Sequence, residues 1–237
     1  MAKKISEVVE KETKALVTTL IGSFRCSVPY YLSRVLCDLN LKTLVIDNTT
    51  NNETFKILRK AEFDTVLKRK NTYFVKDRLI SKEVLETLDK SFDNVIVLVG
   101  NEESAFNKDL FDRTDHFIFI TGYDRFSREE FRQACTRLYS ISKDYLSDKD
   151  RLITMVWNDK TPCKIIEKDF ESRCNLSVTN RFYIRSCDAN RRNYISLTES
   201  GEGKVKSLSE DYKDFLIKTV EQMTDGTRTR MIKKLCK

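Results

Sequence analysis

The sequence predicts an α/β protein, a doubly wound, mostly parallel twisted sheet with helices on both of its faces. Apolar runs of strand length recur at Leu16 to Ile21, Thr43 to Ile46, Val95 to Val99, Phe117 to Ile120, Leu152 to Trp157 and Arg181 to Ile184. The first five are nearly continuous rather than alternating, as strands covered on both faces must be. Segments of helical period separate them, and such alternation builds a parallel sheet through right-handed crossovers.

The first run leads into Gly22 and a short polar turn. A helix over Tyr30 to Leu39 follows, with Pro29 in its first turn, where a missing N–H does no harm. The second strand ends on an acid, in Lys42-Thr-Leu-Val-Ile-Asp47. Thr50 with Glu53, Ser127 with Glu130 and Ser207 with Glu210 have capping-box spacing, and each predicts a helix start. Residues 61–80 mix strand-like pieces with charge and read as a hairpin or an irregular excursion.

From Ser127 to Leu146, Phe131, Ala134, Cys135, Leu138, Ile141 and Tyr145 share one helical face, with Arg128, Glu129, Arg132 and Lys143 opposite. That is a helix lying on a sheet. The same spacing in Leu208, Tyr212, Phe215, Leu216, Val220 and Met223 predicts a long closing helix. Residues 158–205 hold Pro162 and the Gly201-x-Gly203 turn, and their elements are not placed by pattern. The expected organisation is one α/β domain over 1–237, with an N-terminal helix or extension at 1–14 and a basic tail at 225–237.

The chain is 40% hydrophobic and 33% charged, and its 6 Gly and 2 Pro leave little room for long disordered linkers. No run approaches the ~20 apolar residues of a membrane span, and the first residues lack an apolar secretory core, so the expected location is cytoplasmic. Seven Cys, at 26, 37, 135, 163, 174, 187 and 236, include no Cys-x-x-Cys pair. Neither a disulfide framework nor a zinc site is expected. His116 stands alone in an apolar run and reads as structural; catalytic triads and multi-His metal sites are excluded by count.

Part of the +7 net charge is concentrated in Lys68-Arg69-Lys70, in Arg191-Arg192 and in the tail from Arg228 to Lys237. These clusters could meet nucleic acid. No aromatic residues interleave with them as a stacking surface would want, which favours solvated faces. Met231, Ile232 and Leu235 could form a short amphipathic turn on anionic lipid. A frayed tail is the expectation, and a membrane surface is not an expected partner.

The stretch Gly22-Ser-Phe-Arg-Cys-Ser27 sits between strand and helix, where a phosphate-binding loop belongs. From Gly22 to Asp47 the chain resembles the opening of the ParA/MinD family of P-loop ATPases, with its Gly-Gly-Val-Gly-Lys-Thr-Thr loop, a helix rich in small residues and a strand ending Leu-Ile-Asp. Aligned without a gap, the family's second Gly falls on Gly22 and the next residue on Ser23. The Gly before the catalytic Lys falls on Phe24, that Lys on Arg25, the Mg-holding Thr on Cys26 and the second Thr on Ser27. The family's additional Lys falls on Leu20. Further on, Phe92 to Gly100 resembles the third strand, with Leu98 where an Asp would hold the Mg-bound water. Asp115 to Thr121 and Gly122-Tyr-Asp-Arg-Phe-Ser127 resemble the family's apolar strand, loop and Ser-initiated helix.

The departures have physical consequences. Phe24 puts a Cβ and a ring where backbone N–H groups must turn onto phosphate. Arg25 offers a planar fork in place of a compact ammonium. Cys26 replaces a hard oxygen ligand with soft sulfur. The resemblance therefore implies a vestigial phosphate site at Gly22, Ser23, Arg25, Cys26, Ser27 and Asp47, with no catalytic residue and no metal ligand. No cofactor is expected; ATP with Mg²⁺ is the alternative.

Atypical relatives with eroded loops occur in secretion, pilus-assembly and partitioning systems. The resemblance implies a scaffold, positioning or assembly factor working through a protein partner or as a homodimer that meets through the loop face. An ATPase with an unusual loop is one alternative, with Ser23, Arg25 and Ser27 offering donors at a helix start. A nucleic-acid or membrane-surface binder using Lys68, Arg69, Lys70, Arg191 and Arg192 is another. A general hydrolase has no support, since no Gly-x-Ser-x-Gly elbow occurs.

Overall fold

The computed structural model describes residues 14–22, 27–50, 54, 58, 66–76, 80–148, 150–159, 162–224 and 226–237. Among them the chain runs β1 (Leu16–Gly22), α1 (Val28–Asp38), β2 (Thr43–Asn48), β3 (Val66–Arg69), β4 (Thr72–Lys76), α2 (Lys82–Asp89), β5 (Asn94–Val99) and α3 (Lys108–Arg113). It continues through β6 (His116–Thr121), α4 (Arg125–Ile141), β7 (Leu152–Trp157), α5 (Lys164–Arg173), β8 (Asn180–Tyr183), α6 (Asp188–Ser200), α7 (Glu210–Met223) and α8 (Thr229–Cys236). The strands form one sheet in the order β3-β4-β2-β5-β1-β6-β7-β8. Every neighbouring pair is parallel except the β3–β4 hairpin.

The α/β class and the doubly wound sheet are those the sequence predicts. Both sheet faces are covered, which explains the unbroken apolar runs. On one face Leu20, Val45, Ile96, Leu98, Ile118 and Val156 pack against α1, α7 and α8. On the other, Ile21, Ile46, Val97, Phe117, Phe119 and Trp157 pack against α2 to α5.

The strand order positions the site. β5 lies between β1 and β2, so Leu20, Leu98 and Asp47 are adjacent across three strands. From β1 the chain goes out to β2 on one side, and after β5 it crosses to β6 on the other. The carboxyl end of β1 is thus a topological switch point, where open α/β sheets bind ligands.

Several local expectations are corrected. α4 starts at Arg125, because Asp124 rather than Ser127 is its cap, its carboxylate accepting from the Ser127 N–H at 2.8 Å. α4 also stops at Ile141, short of Leu146, while Tyr145 and Leu146 still bury in the same core. α7 follows Ser209, since Val205–Ser207 is a separate 3₁₀ turn. The proposed cap partner Glu53 and most of the 1–14 extension lie outside the described residues. The 61–80 excursion contains the β3–β4 hairpin, with Lys70 left-handed at φ 51° in its turn. The unplaced 158–205 region supplies α5, β8 and α6, the last closed by left-handed Gly201.

The tail does not fray. Ile232 and Cys236, one helical turn apart, are fully buried under α8, and the Arg228 guanidinium donates to the Leu39 carbonyl. No described helix is long and apolar enough to cross a membrane.

His116 is wholly buried, its Nε2 2.8 Å from Thr154 Oγ1, and burial drives its pKa down to about 3. The unfolded chain takes up this proton near pH 6.5 and the native one near 3, so the contribution to stability is complete above about 6.5 and lost as pH falls. This is the chain's one histidine, so a single imidazole C2–H resonance reports it. The resonance should stay flat between pH 8 and 5 while the urea midpoint falls below pH ~6. A native-state titration near the ordinary His value would contradict the burial.

Candidate functional site

The candidate site lies at the carboxyl ends of β1, β2 and β5 and at the start of α1. Ser23, Arg25 and Cys26, with Phe24 between them, lie outside the described residues, and Gly22, Ser27 and Asp47 lie within. Gly22 has φ +114°, and a Cβ built on it would sit 2.0 Å from the Ile120 carbonyl oxygen of β6. Only glycine fits there, whatever happens at the loop.

Asp47 is 1% exposed. One carboxylate oxygen accepts from the Thr49 N–H at 3.2 Å and the Thr49 hydroxyl at 2.6 Å, and the other accepts from the Thr54 N–H at 2.8 Å. Among the described residues these are short-range donors, and a carboxylate bonded in this way closes the turn after β2. Leu98 is 0% exposed and stands in register with Asp47, on the α1 face of the sheet. An apolar side chain closes the place where the resemblance puts a metal-positioning acid. Among the described residues no group of three or more His, Cys, Asp or Glu could hold a metal ion.

Ser27 precedes α1 and makes no side-chain cap; its hydroxyl lies 3.5 Å from Tyr212 Oη. Pro29 sits in the first turn of α1, as its fixed φ requires. Where the family's helix carries small residues, α1 carries Tyr30 and Tyr31, both buried. Tyr31 packs edge-on against Tyr30 at 5.3 Å and Tyr212 at 5.6 Å between ring centroids. Tyr30 Oη accepts from the Gly203 N–H at 3.1 Å and donates to the Gly203 carbonyl at 3.4 Å. Burial, with the phenols of Tyr212 and Tyr30 beside it, raises the Tyr31 pKa far above its ordinary value. This aromatic cluster ties α1 to α7 and the 201–209 loop. The sequence held a hint in the Tyr-Tyr pair, but nothing to link it with Tyr212.

The basic clusters divide. Arg69 is committed to the fold, donating to the Gly201 carbonyl at 2.5 Å. Lys68 lies over the Tyr73 ring, 5.1 Å from its centroid. Lys70, Arg191 and Arg192 are exposed on the hairpin turn and α6. Cys37, Cys135, Cys174 and Cys236 are buried free thiols, and Cys163 and Cys187 are partly buried.

No family profile and no curated protein matches the sequence. Solved structures do match in fold. The cell division ATPase MinD of Pyrococcus furiosus aligns with a TM-score of 0.61 at 14% identity, over 90% of this chain and 99% of that one. The ParA family ATPase of Chlorobium tepidum aligns with a TM-score of 0.56 at 12% identity, over 86% and 99%. The chain has the ParA/MinD fold. A third structure, the MinC:MinD cell division complex of Aquifex aeolicus, aligns with a TM-score of 0.57 at 14% identity, over 81% and 88%. Within this fold, Gly22 ends β1 and packs it against β6, and Asp47, near the end of β2, holds the turn that follows.

Proposed function

We propose that this protein is a ParA/MinD-fold scaffold or positioning factor of the cytoplasm that does not hydrolyse ATP and works through protein contacts, with a second copy or another protein as partner. One observation supports this most. Leu98 stands buried where the resemblance puts the metal-positioning acid, and the acid nearby, Asp47, accepts hydrogen bonds from Thr49 and Thr54 in the turn after β2. Phosphoryl transfer depends on metal and cationic stabilisation of developing charge, and a buried leucine supplies none. Ser23, Arg25, Cys26 and Ser27 are then remnants of a phosphate-binding sequence. Contact with nucleic acid would rest on Lys68, Lys70, Arg191 and Arg192, since Arg69 is committed to Gly201.

A working site at 100 times its Kd in Mg·ATP would stabilise the fold by about 2.7 kcal/mol, which for a domain of this size raises Tm by roughly 5–10 °C. The expected result is a shift within ~1 °C and no phosphate release above background. A clear Mg-dependent shift with turnover would establish the ATPase reading instead.

A further inference from the structure

The central strands carry buried polar atoms that the chain itself leaves without a hydrogen bond. Thr18 Oγ1 on β1, Thr43 Oγ1 on β2, Asn94 Oδ1 on β5 and His116 Nδ1 on β6 have no partner among the described residues, and none of these residues is more than 1% exposed. Native interiors rarely leave such groups unbonded, because each has given up its bonds to solvent. Other buried hydroxyls of the sheet do find partners. Thr19 Oγ1 lies 2.8 Å from Thr114 Oγ1, Thr154 Oγ1 lies 2.8 Å from His116 Nε2, and Thr121 Oγ1 donates to the Ser127 carbonyl at 3.2 Å.

The four atoms fall into two pairs. Thr43 stands opposite Asn94 on the adjoining strands β2 and β5, and Thr18 stands opposite His116 on β1 and β6. Thr43, Asn94, Thr18 and His116 lie two positions before Val45, Ile96, Leu20 and Ile118, which pack in the α1, α7 and α8 core. Side chains two apart on a strand share a face, so all four point into that layer. α7 adds Thr219, wholly buried, whose hydroxyl has no partner among the described residues either. By contrast, Thr224 at the end of the same helix donates to the Val220 carbonyl at 2.8 Å, as helical threonines commonly do.

The spacing suits one bridging molecule for each pair. Opposed residues on neighbouring strands are ~4.8 Å apart. An oxygen atom making two hydrogen bonds of ~2.8 Å at a tetrahedral angle spans about 4.6 Å. The bridging molecule must be neutral, because hydroxyl and amide oxygens offer an ion no counter-charge. His116 offers none either, since burial lowers its pKa to about 3 and leaves the ring uncharged at neutral pH. The molecule must also both donate and accept, as Asn94 Oδ1 only accepts while a threonine hydroxyl does either. Water meets each condition, and buried water ordinarily bonds two to four such groups.

We propose that two water molecules are bound as fixed parts of this fold, one between Thr43 and Asn94 and one between Thr18 and His116. They complete the hydrogen bonding of the central strands beneath the α1, α7 and α8 layer. Both sites lie toward the amino ends of the strands, away from Gly22 and Asp47, so they serve the fold independently of the candidate site.

Oxygen-17 relaxation dispersion of water, measured on the full chain in solution, counts buried molecules that exchange slowly with bulk. The parent protein should show a dispersion. Its amplitude should drop by about one molecule in Thr43→Val and in Thr18→Val, because valine keeps the shape of threonine and removes the hydroxyl. Thr43→Ser and Thr18→Ser retain the hydroxyl and should retain the parent's amplitude, which separates loss of a bridge from general loosening. Urea midpoints give a second reading through their sign. A valine that removes one end of a bridge leaves the water short of a bond and lowers the midpoint, whereas a valine that removes an unpaired hydroxyl raises it. Both valine variants should therefore have lower midpoints than the parent. Absence of a dispersion, an amplitude undiminished in both valine variants, or midpoints raised in both would overturn the proposal.

Discussion

Replacing Gly22 with alanine should lower stability by about 4 kcal/mol, with or without nucleotide. Two effects add. A non-glycine residue held at φ +114° carries strain on the order of 1–3 kcal/mol. The new methyl would also lie 2.0 Å from the Ile120 carbonyl oxygen, a backbone atom that can yield only if β6 moves. Forcing a well-packed region apart costs roughly another 1–3 kcal/mol. β1 is the central strand, paired with both β5 and β6, so the displacement has no free edge to relax into. Urea unfolding of the variant tests this directly. A loss under about 1 kcal/mol would show that the β1–β6 contact is slack and that Gly22 is free to serve the loop instead.

That contact bears on how Gly22 and Asp47 are read. In sequence, Gly22 and Asp47 are positions at which the resemblance keeps the family's residue. In the fold, each has a structural role that involves no phosphate: β6 abuts Gly22, and donors on Thr49 and Thr54 hold Asp47 in its turn. A packing role accounts for both residues, so neither is by itself evidence for nucleotide binding.

The fold class was legible because burial on both sheet faces leaves an unmistakable mark, the continuous apolar run. Strand limits were off by one or two residues where ladders extend over polar ends such as Asn48, His116 and Thr121, which bury without being apolar. The short helices α2 and α3 escaped notice because each offers so few buried residues, Leu85 in one and Leu110 with Phe111 in the other. Strand order could not be read at all. Nothing in the runs themselves says that β5 separates β1 from β2, since pairing is chosen by crossovers far apart in sequence. At the site, the strand ends that carry Gly22, Asp47 and Leu98 were visible from spacing alone. The Tyr30–Tyr31–Tyr212 cluster and the hydrogen bond from Tyr123 to Glu167 were not, because each joins residues brought together only by the sheet.

Leu98→Asp should be the most damaging of the site substitutions and should not create a metal site. Leu98 is fully buried on the α1 face, flanked in register by Leu20 and Asp47. Removing its side chain costs roughly 2–5 kcal/mol in lost transfer energy and cavity. The new carboxyl then has no donor among its apolar neighbours, and Asp47 lies about 4.8 Å away across the ladder, the usual strand spacing. Desolvation and the neighbouring acid both push its pKa up, so the group stays protonated in the native state where it can. The native variant thus holds a proton that the unfolded chain releases near pH 4, and its stability declines as pH rises from there through the raised native pKa. Urea unfolding should show a deficit of about 5 kcal/mol at pH 7 and a smaller one at pH 5. Leu98→Asn, which cannot ionise, should be destabilised by a comparable amount with no such pH dependence relative to the parent. Mg·ATP should rescue neither variant. If instead Mg·ATP raised the melting temperature of Leu98→Asp by several degrees and left the parent and Leu98→Asn unmoved, the rest of a metal–phosphate cradle would have to be intact, with leucine at 98 its one missing part.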